Sequence, residues 1–404
     1  MKPLMEYIRD YGGLTFAERP FCDMDNIALC EAFYMNIERA APNHFEDEPM
    51  PFDEMARKMF ELNGNKNVPM GLILDKSVSE VVMAMGKTKR FSEVKVTACH
   101  AVYSVDPPIQ FDAGTFILPD GTKVITYRGT DDTLVGWYED TMIMTQKKMP
   151  SNDLAAEYLT EADQKFKDGA FIVTGHSKGG NLALYAALNC SQSARDRIVT
   201  LYNNDGPGFA DYDYLESKEY KELLPRYKHF MPSNGFFGLM LAYDNDFETI
   251  KSSRLLPPLA HDLTSWKHKD GELMVTDGLS PMGKINDRAF NPIIMNINEE
   301  QGEVFGKVAY TVLQGTGQKG LLDVAKNAPA AFSGAAQAWN SIDDETKESF
   351  KEIFKGSVDV IKLAIRTVQE ETFPVMHQQI SNVARMFTDL RHKEFAKIKV
   401  KATA

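Results

Sequence analysis

At 404 residues and 43% hydrophobic, the chain can bury a large core, as one α/β domain with an appendage or as two or three domains. A formal net charge of -12 at pH 7 argues against non-specific nucleic-acid binding, because phosphates are repelled. Cys22, Cys30, Cys99 and Cys190 are too few and too scattered for a disulfide framework or a zinc site, and read as reduced thiols of a cytoplasmic protein.

The start, MKPLMEYIRDYGG, has charges throughout and no apolar stretch of the secretory kind, so no signal peptide is expected. No run approaches the roughly 18 uninterrupted apolar residues of a membrane helix. Residues 1–90 read as a mainly helical segment packed on a larger core. In DMDNIALCEAFYMNIE, residues Ile27, Leu29, Cys30, Ala32, Phe33 and Met35 form a broad apolar stripe, with Asp25 as the candidate N-cap.

From Lys95 the period changes. VKVTACHAVYSV, QFDAGTFILP and KVITYRGT are short β-rich runs, with Asp120-Gly121 marking a hairpin between the last two. Helical stretches LVGWYEDTMIM and DLAAEYLTEADQKF follow, then strand AFIVTG, helix GNLALYAALNCSQ, strand RIVTLYNN and strand RYKHFMPS. Strands alternating with helices predict a mostly parallel central sheet flanked by helices over residues 91–285. Residues 286–404 read as a C-terminal extension of amphipathic helices, a candidate lid or cap. Its basic end, RHKEFAKIKVKATA, reads as solvated and leaves room for transient contact with a membrane surface.

Gly175-His176-Ser177-Lys178-Gly179 fits G-x-S-x-G between an apolar strand and a helix. In a nucleophile elbow the serine sits on a sharp strand-to-helix turn, where residues two before and two after have no room for a side chain. The helix that starts there aims N–H groups at a developing oxyanion. Ser177 is therefore the candidate nucleophile, and the backbone N–H of Lys178 a candidate oxyanion donor. The lysine side chain either favours an anionic substrate or points to solvent.

VITYRGTDDTLVGWYED, together with the elbow, resembles the class 3 (fungal-type) lipases. The resemblance implies that the Arg-Gly-Thr segment forms the oxyanion hole, with Thr130 donating its backbone N–H and its hydroxyl as a second candidate donor. RPFCDMDNIALCEAFY, YRGTDDTLVGWYED, TGHSKGGNLALYAA, YNNDGPGF, FETIKSS and AHDLTSW extend the likeness to a bacterial family of lipase-like α/β-hydrolases, largely uncharacterised, over roughly residues 18–270. That likeness implies an α/β-hydrolase fold.

The base should be a histidine after the elbow. His261, after a proline-rich loop and where the family pattern has its His-Asp segment, is preferred. His229 reads as structural within a strand and His268 as solvated; His377 and His392 fall in the C-terminal helices. For the acid, the position used by class 3 lipases reads Pro232-Ser233-Asn234-Gly235, without a carboxylate. Asp205, at the end of the preceding strand, comes first, although Asp-Gly-Pro-Gly is also a turn former. Asp246 is an alternative, and so is Asn234 with no carboxylate at all. The expectation is a serine hydrolase of acyl or lipid-like esters, without metal or cofactor. A non-catalytic protein binding a lipid or a partner, or a thioesterase, peptidase or acyltransferase, stays open on the same scaffold. Oligomeric state is not legible.

Overall fold

A computed structural model describes residues 1–71, 77–143, 146, 148–355 and 359–368. Eight strands form one sheet: β1 (Met50–Pro51), β2 (Lys95–Val105), β3 (Pro108–Ile117), β4 (Lys123–Tyr127), β5 (Phe171–His176), β6 (Ile198–Asn204), β7 (Tyr227–Pro232) and β8 (Glu248–Ile250). They lie side by side in chain order. The pairings from β1 to β4 are antiparallel and those from β4 to β8 parallel. A small antiparallel pair, β9 (His268–Lys269) and β10 (Glu272–Leu273), follows.

The helices are α1 (Pro3–Tyr11), α2 (Asp23–Phe33), α3 (Phe52–Leu62), α4 (Ser77–Met85) and α5 (Lys89–Ser92) before β2. Next come α6 (Leu134–Ile143), α7 (Pro150–Lys165), α8 (Lys178–Asn189), α9 (Gln192–Arg197) and α10 (Lys218–Leu223) between the core strands. After β8 come α11 (Pro257–Ala260), α12 (Pro281–Ile285), α13 (Asn291–Met295), α14 (Glu299–Gly315), α15 (Leu321–Lys326), α16 (Ala328–Ser341) and α17 (Asp344–Ile353).

The alternating side chains of the strands build two cores. Val124, Ile172 and Tyr202 face one side; Ile125, Val173 and Leu201 face the other. Strands in chain order with right-handed crossovers put every connecting helix on the same face. Accordingly Leu159 of α7, Leu182 of α8, Ala194 of α9 and Leu223 of α10 all join the Ile125 side. The opposite face would lie bare. It is covered by the N-terminal helices through Leu4, Ile27, Leu29, Met55 and Val81. This is an α/β-hydrolase fold, with a mixed sheet whose later strands are parallel and whose flanks are helical.

One local expectation is corrected. Asp25 is not the N-cap of α2; Cys22 is, and the Asp25 carboxylate accepts the Cys22 N–H at 3.0 Å. The carboxylate is fully buried, accepts the Tyr7 hydroxyl at 2.8 Å and pairs with fully buried Arg90 at 2.5 Å. Because α2 lies between the sheet and α1 and α4, its polar first turn needs partners from the protein.

At the other end, α14 docks on α6, where the rings of Tyr138 and Tyr310 stack at 4.2 Å. Phe305 of α14 stacks on Phe350 of α17 at 5.8 Å. The segment before α15 is tied to the chain after β4: Leu134 N–H donates to Lys319 O and Leu321 N–H to Asp132 O, both at 3.1 Å. The basic C-terminal end, His377 and His392 lie outside the described residues. Among the described residues no helix is long and apolar enough to cross a membrane.

Candidate active site

β5 ends at His176 and α8 begins at Lys178, so Ser177 alone makes the turn. Its φ of 58° and ψ of -132° lie outside the conformations that side chains ordinarily accept, at a cost of order 1–3 kcal/mol. The turn is tight enough that a Cβ on Gly175 would come 2.0 Å from Gly179 O. A Cβ on Gly129 would come 3.1 Å from Ser177 Cβ, so Arg128-Gly129-Thr130 passes directly against the nucleophile candidate. The strained residue is pinned from below: Ser177 N–H donates to Asn204 O at 3.0 Å, and Asn204 Nδ2 donates to Gly175 O at 3.0 Å.

Asp205 follows β6 with a left-handed φ of 52° and is fully buried. Its Oδ2 lies 2.6 Å from His261 Nδ1, and its Oδ1 accepts Gly238 N–H at 2.9 Å. Burial raises the Asp205 carboxyl above the usual carboxylate range, opposed by the Gly238 N–H and by His229. Burial pushes the His261 imidazole down to about 3, opposed by Asp262. The direction that matters is the second: a neutral imidazole is the form that can accept a proton. Among the described residues His261 Nε2 and Ser177 Oγ make no hydrogen bond. Such contacts are often long before substrate closes a site.

The other candidates lie elsewhere. Asp246 is exposed, and its N–H bonds Asp244. Asn234 donates to Arg254 O at 3.1 Å and Leu255 O at 2.7 Å, so it holds the loop leading to His261 rather than the imidazole. His229 is buried in β7 with Nδ1 3.3 Å from Asp244. His268 is not solvated as expected: it is half-buried, edge-on to Tyr7 and Tyr11.

Thr130 borders the same cavity as Ser177. Its hydroxyl donates to Asp140 at 2.7 Å, so only the backbone N–H is left to face an oxyanion. Burial pushes the Asp140 carboxyl up to about 7. Lys178 opens α8, where the first N–H groups have no acceptor within the helix. Its side chain neither meets solvent nor offers charge to a ligand. It is 1% exposed and donates to Glu139 at 2.8 Å and to Gln110 Oε1 at 2.7 Å. Asp140, Glu139 and Gln110 escaped the sequence reading. The signal was an acidic pair on the helix just after Arg-Gly-Thr, which by itself reads as a solvated helix face.

His176, beneath the serine, is held at both nitrogens. Nε2 lies 2.9 Å from His261 O, which can only accept, so Nε2 carries the proton and Nδ1 accepts the Tyr34 hydroxyl at 2.7 Å. Burial keeps this imidazole far below 6.5 and neutral. Its ring lies 4.2 Å from that of His261. Above them is a cavity of about 290 Å³, bordered by Ser177, His261 and Thr130 and walled by apolar groups that include Trp137, Phe237, Met240, Ile294 and Phe305. No group of three or more His, Cys, Asp or Glu suited to a metal ion occurs among the described residues.

The family model described as Mbeg1-like matches residues 85–310, more than half of the chain. The chain belongs to the Mbeg1-like family. The matched span of this Mbeg1-like chain holds Thr130, Ser177, Asp205 and His261, while α1, α2 and Tyr34 precede it. No curated protein matches this Mbeg1-like chain. Among solved structures, a crystal structure of M37 lipase is similar at 17% identity, covering 53% of this chain and 68% of that one, with a TM-score of 0.33.

Proposed function

We propose that the protein is a serine hydrolase that cleaves carboxylic esters through an acyl-enzyme on Ser177. The observation that carries this reading is the buried Asp205 carboxylate 2.6 Å from His261 Nδ1, at a cavity that Ser177 also borders. Ser177 Oγ attacks the ester carbonyl and His261 Nε2 takes its proton. Asp205 supports the imidazolium that forms. The N–H groups of Thr130 and Lys178 bond the oxyanion, where one donor typically contributes about 2.7–4 kcal/mol to the transition state. The imidazolium protonates the departing alcohol, and water then repeats the sequence to free the acid. The apolar walls favour an acyl or lipid-like chain over a polar one. No step calls on a metal or cofactor. The absence of a carboxylate from residues 232–235 favours a non-catalytic protein, and Asp205, at the end of the preceding strand and 2.6 Å from His261, supports the catalytic reading instead.

A fluorophosphonate probe and a short p-nitrophenyl ester test the reading. The wild type should label and turn over, whereas Ser177→Ala should do neither while melting at nearly the same temperature. Undiminished turnover by the variant would sink the proposal.

A further inference from the structure

α2 turns polar groups toward the sheet, where a mere cover would be apolar. Asn26 and Cys30 on the helix and Tyr34, its C-cap, follow at intervals of four and share one side. That side lies under the elbow. Asn26 Nδ2 donates to Asn204 Oδ1 at 3.0 Å, and Asn204 O accepts the Ser177 N–H. Cys30 Sγ lies 3.1 Å from Thr174 Oγ1 in β5. One turn further on, the Tyr34 hydroxyl reaches His176 Nδ1 at 2.7 Å. A Cβ on Gly129 would come 2.1 Å from the same hydroxyl, so Tyr34 also abuts the Arg-Gly-Thr segment.

His261 stands at the end of a loop with little packing of its own. Leu255 is 88% exposed and Leu256 63% exposed, and α11 has only four residues. Trp266 Nε1 holds the loop through Ala260 O at 3.0 Å. His176 holds the next residue: Nε2–H donates to His261 O at 2.9 Å, and the two rings lie 4.2 Å apart. Phe237 packs on the His261 ring at 4.3 Å. Tyr34 borders the cavity, but its hydroxyl proton is given to His176, which leaves none for a substrate oxygen. A neutral His176 suits this place, because a cation so close to His261 would oppose the imidazolium that forms there.

We propose that Tyr34 is a positioning residue for His261 and acts through His176. Its hydroxyl fixes the His176 ring, and that ring sets the height and tilt of the base beside Ser177. The proposal rests on the hydrolase reading and adds Tyr34 and α2, which precede the matched span, to the residues that build the site. Without the hydroxyl, His176 Nδ1 is a buried acceptor that has lost its donor, and the ring is free to tilt away from His261.

Tyr34→Phe keeps the ring and removes only the hydroxyl. In this variant kcat for a p-nitrophenyl ester should fall at least about tenfold, because a displacement of about 1 Å at a reacting group can cost about 10²-fold. KM should stay within about twofold of wild type, since the hydroxyl offers the substrate nothing. The downfield proton resonance of the His261 Nδ1–H bond to Asp205, followed by NMR of the full chain with 15N-labelled histidine, should shift. His176→Gln keeps an N–H donor for His261 O and His176→Leu does not, so the first should retain at least about tenfold more kcat than the second. Wild-type kcat with an unmoved resonance in Tyr34→Phe would overturn the proposal. So would a raised KM with kcat unchanged, the mark of a direct substrate contact, or equal kcat in the two His176 variants. A wild type that turns over no ester would overturn the hydrolase reading instead, and the resonance would then decide by itself whether Tyr34 seats His261.

Discussion

Asp205 meets two demands at once. As the first residue of Asp-Gly-Pro-Gly it takes the left-handed turn that a short polar side chain tolerates best. The same backbone turn leaves its carboxylate 2.6 Å from His261, so the turn role and the proposed acid role do not compete. Asp205→Asn should keep the turn and the acceptor for Gly238 N–H while removing the charge that supports an imidazolium. We expect kcat to fall by about 10³–10⁴ with melting nearly unchanged, read by ester turnover and thermal denaturation. An active Asp205→Asn would remove this residue from the mechanism. The candidate triad was legible at this scale because an elbow, a sheet edge and chain order narrow the choice to a few residues. The use of the Thr130 hydroxyl was not, since only the fold brings Asp140 against it.

At the scale of elements, the buried pair Lys178–Glu139 locks α8, whose N-terminus faces the proposed oxyanion, to α6. A buried ion pair contributes little net stability, but breaking one side leaves an uncompensated charge. Lys178→Met should therefore cost about 3–5 kcal/mol in urea denaturation, because Glu139 is fully buried. Adding Glu139→Leu should recover part of that loss. The rest should remain because Glu139 also accepts the Gln110 N–H at 3.0 Å. A Lys178→Met variant as stable as the wild type would show that the pair does not hold the helices together. The sequence left this lysine between solvent and substrate, because a lysine beside a nucleophile has no local feature that predicts burial.

For the whole molecule, strand order decides which parts are indispensable. Among the described residues, one face of the sheet is covered by crossover helices and the other by what precedes β2 together with Leu263, Trp266 and Leu273 after β8, so the N-terminal helices are needed to complete the core. The C-terminal helices complete the cavity instead, through Ile294 and Phe305. Phe305→Ala should remove a wall and its contacts with Phe350 and Phe354. Phe305 is half-buried, so the loss should fall below the roughly 3–5 kcal/mol of a fully buried phenylalanine. KM for longer acyl esters should rise more than KM for acetate esters. An unchanged ratio would mean that α14 does not contact the acyl chain.

The sequence by itself determined the strand–serine–helix joint, the alternation of strands and helices, and a short set of candidate partners for Ser177. All of these are written in local periodicity and in glycines whose neighbours leave no room for a side chain. Which carboxylate meets His261, which groups seal Lys178 and what covers the second face of the sheet were decided only by tertiary structure. Those outcomes depend on contacts between residues far apart in the chain, such as Asp205 with His261 or Glu139 with Lys178. Desolvation then gives each buried charge few stable partners, and no local pattern records which one it meets.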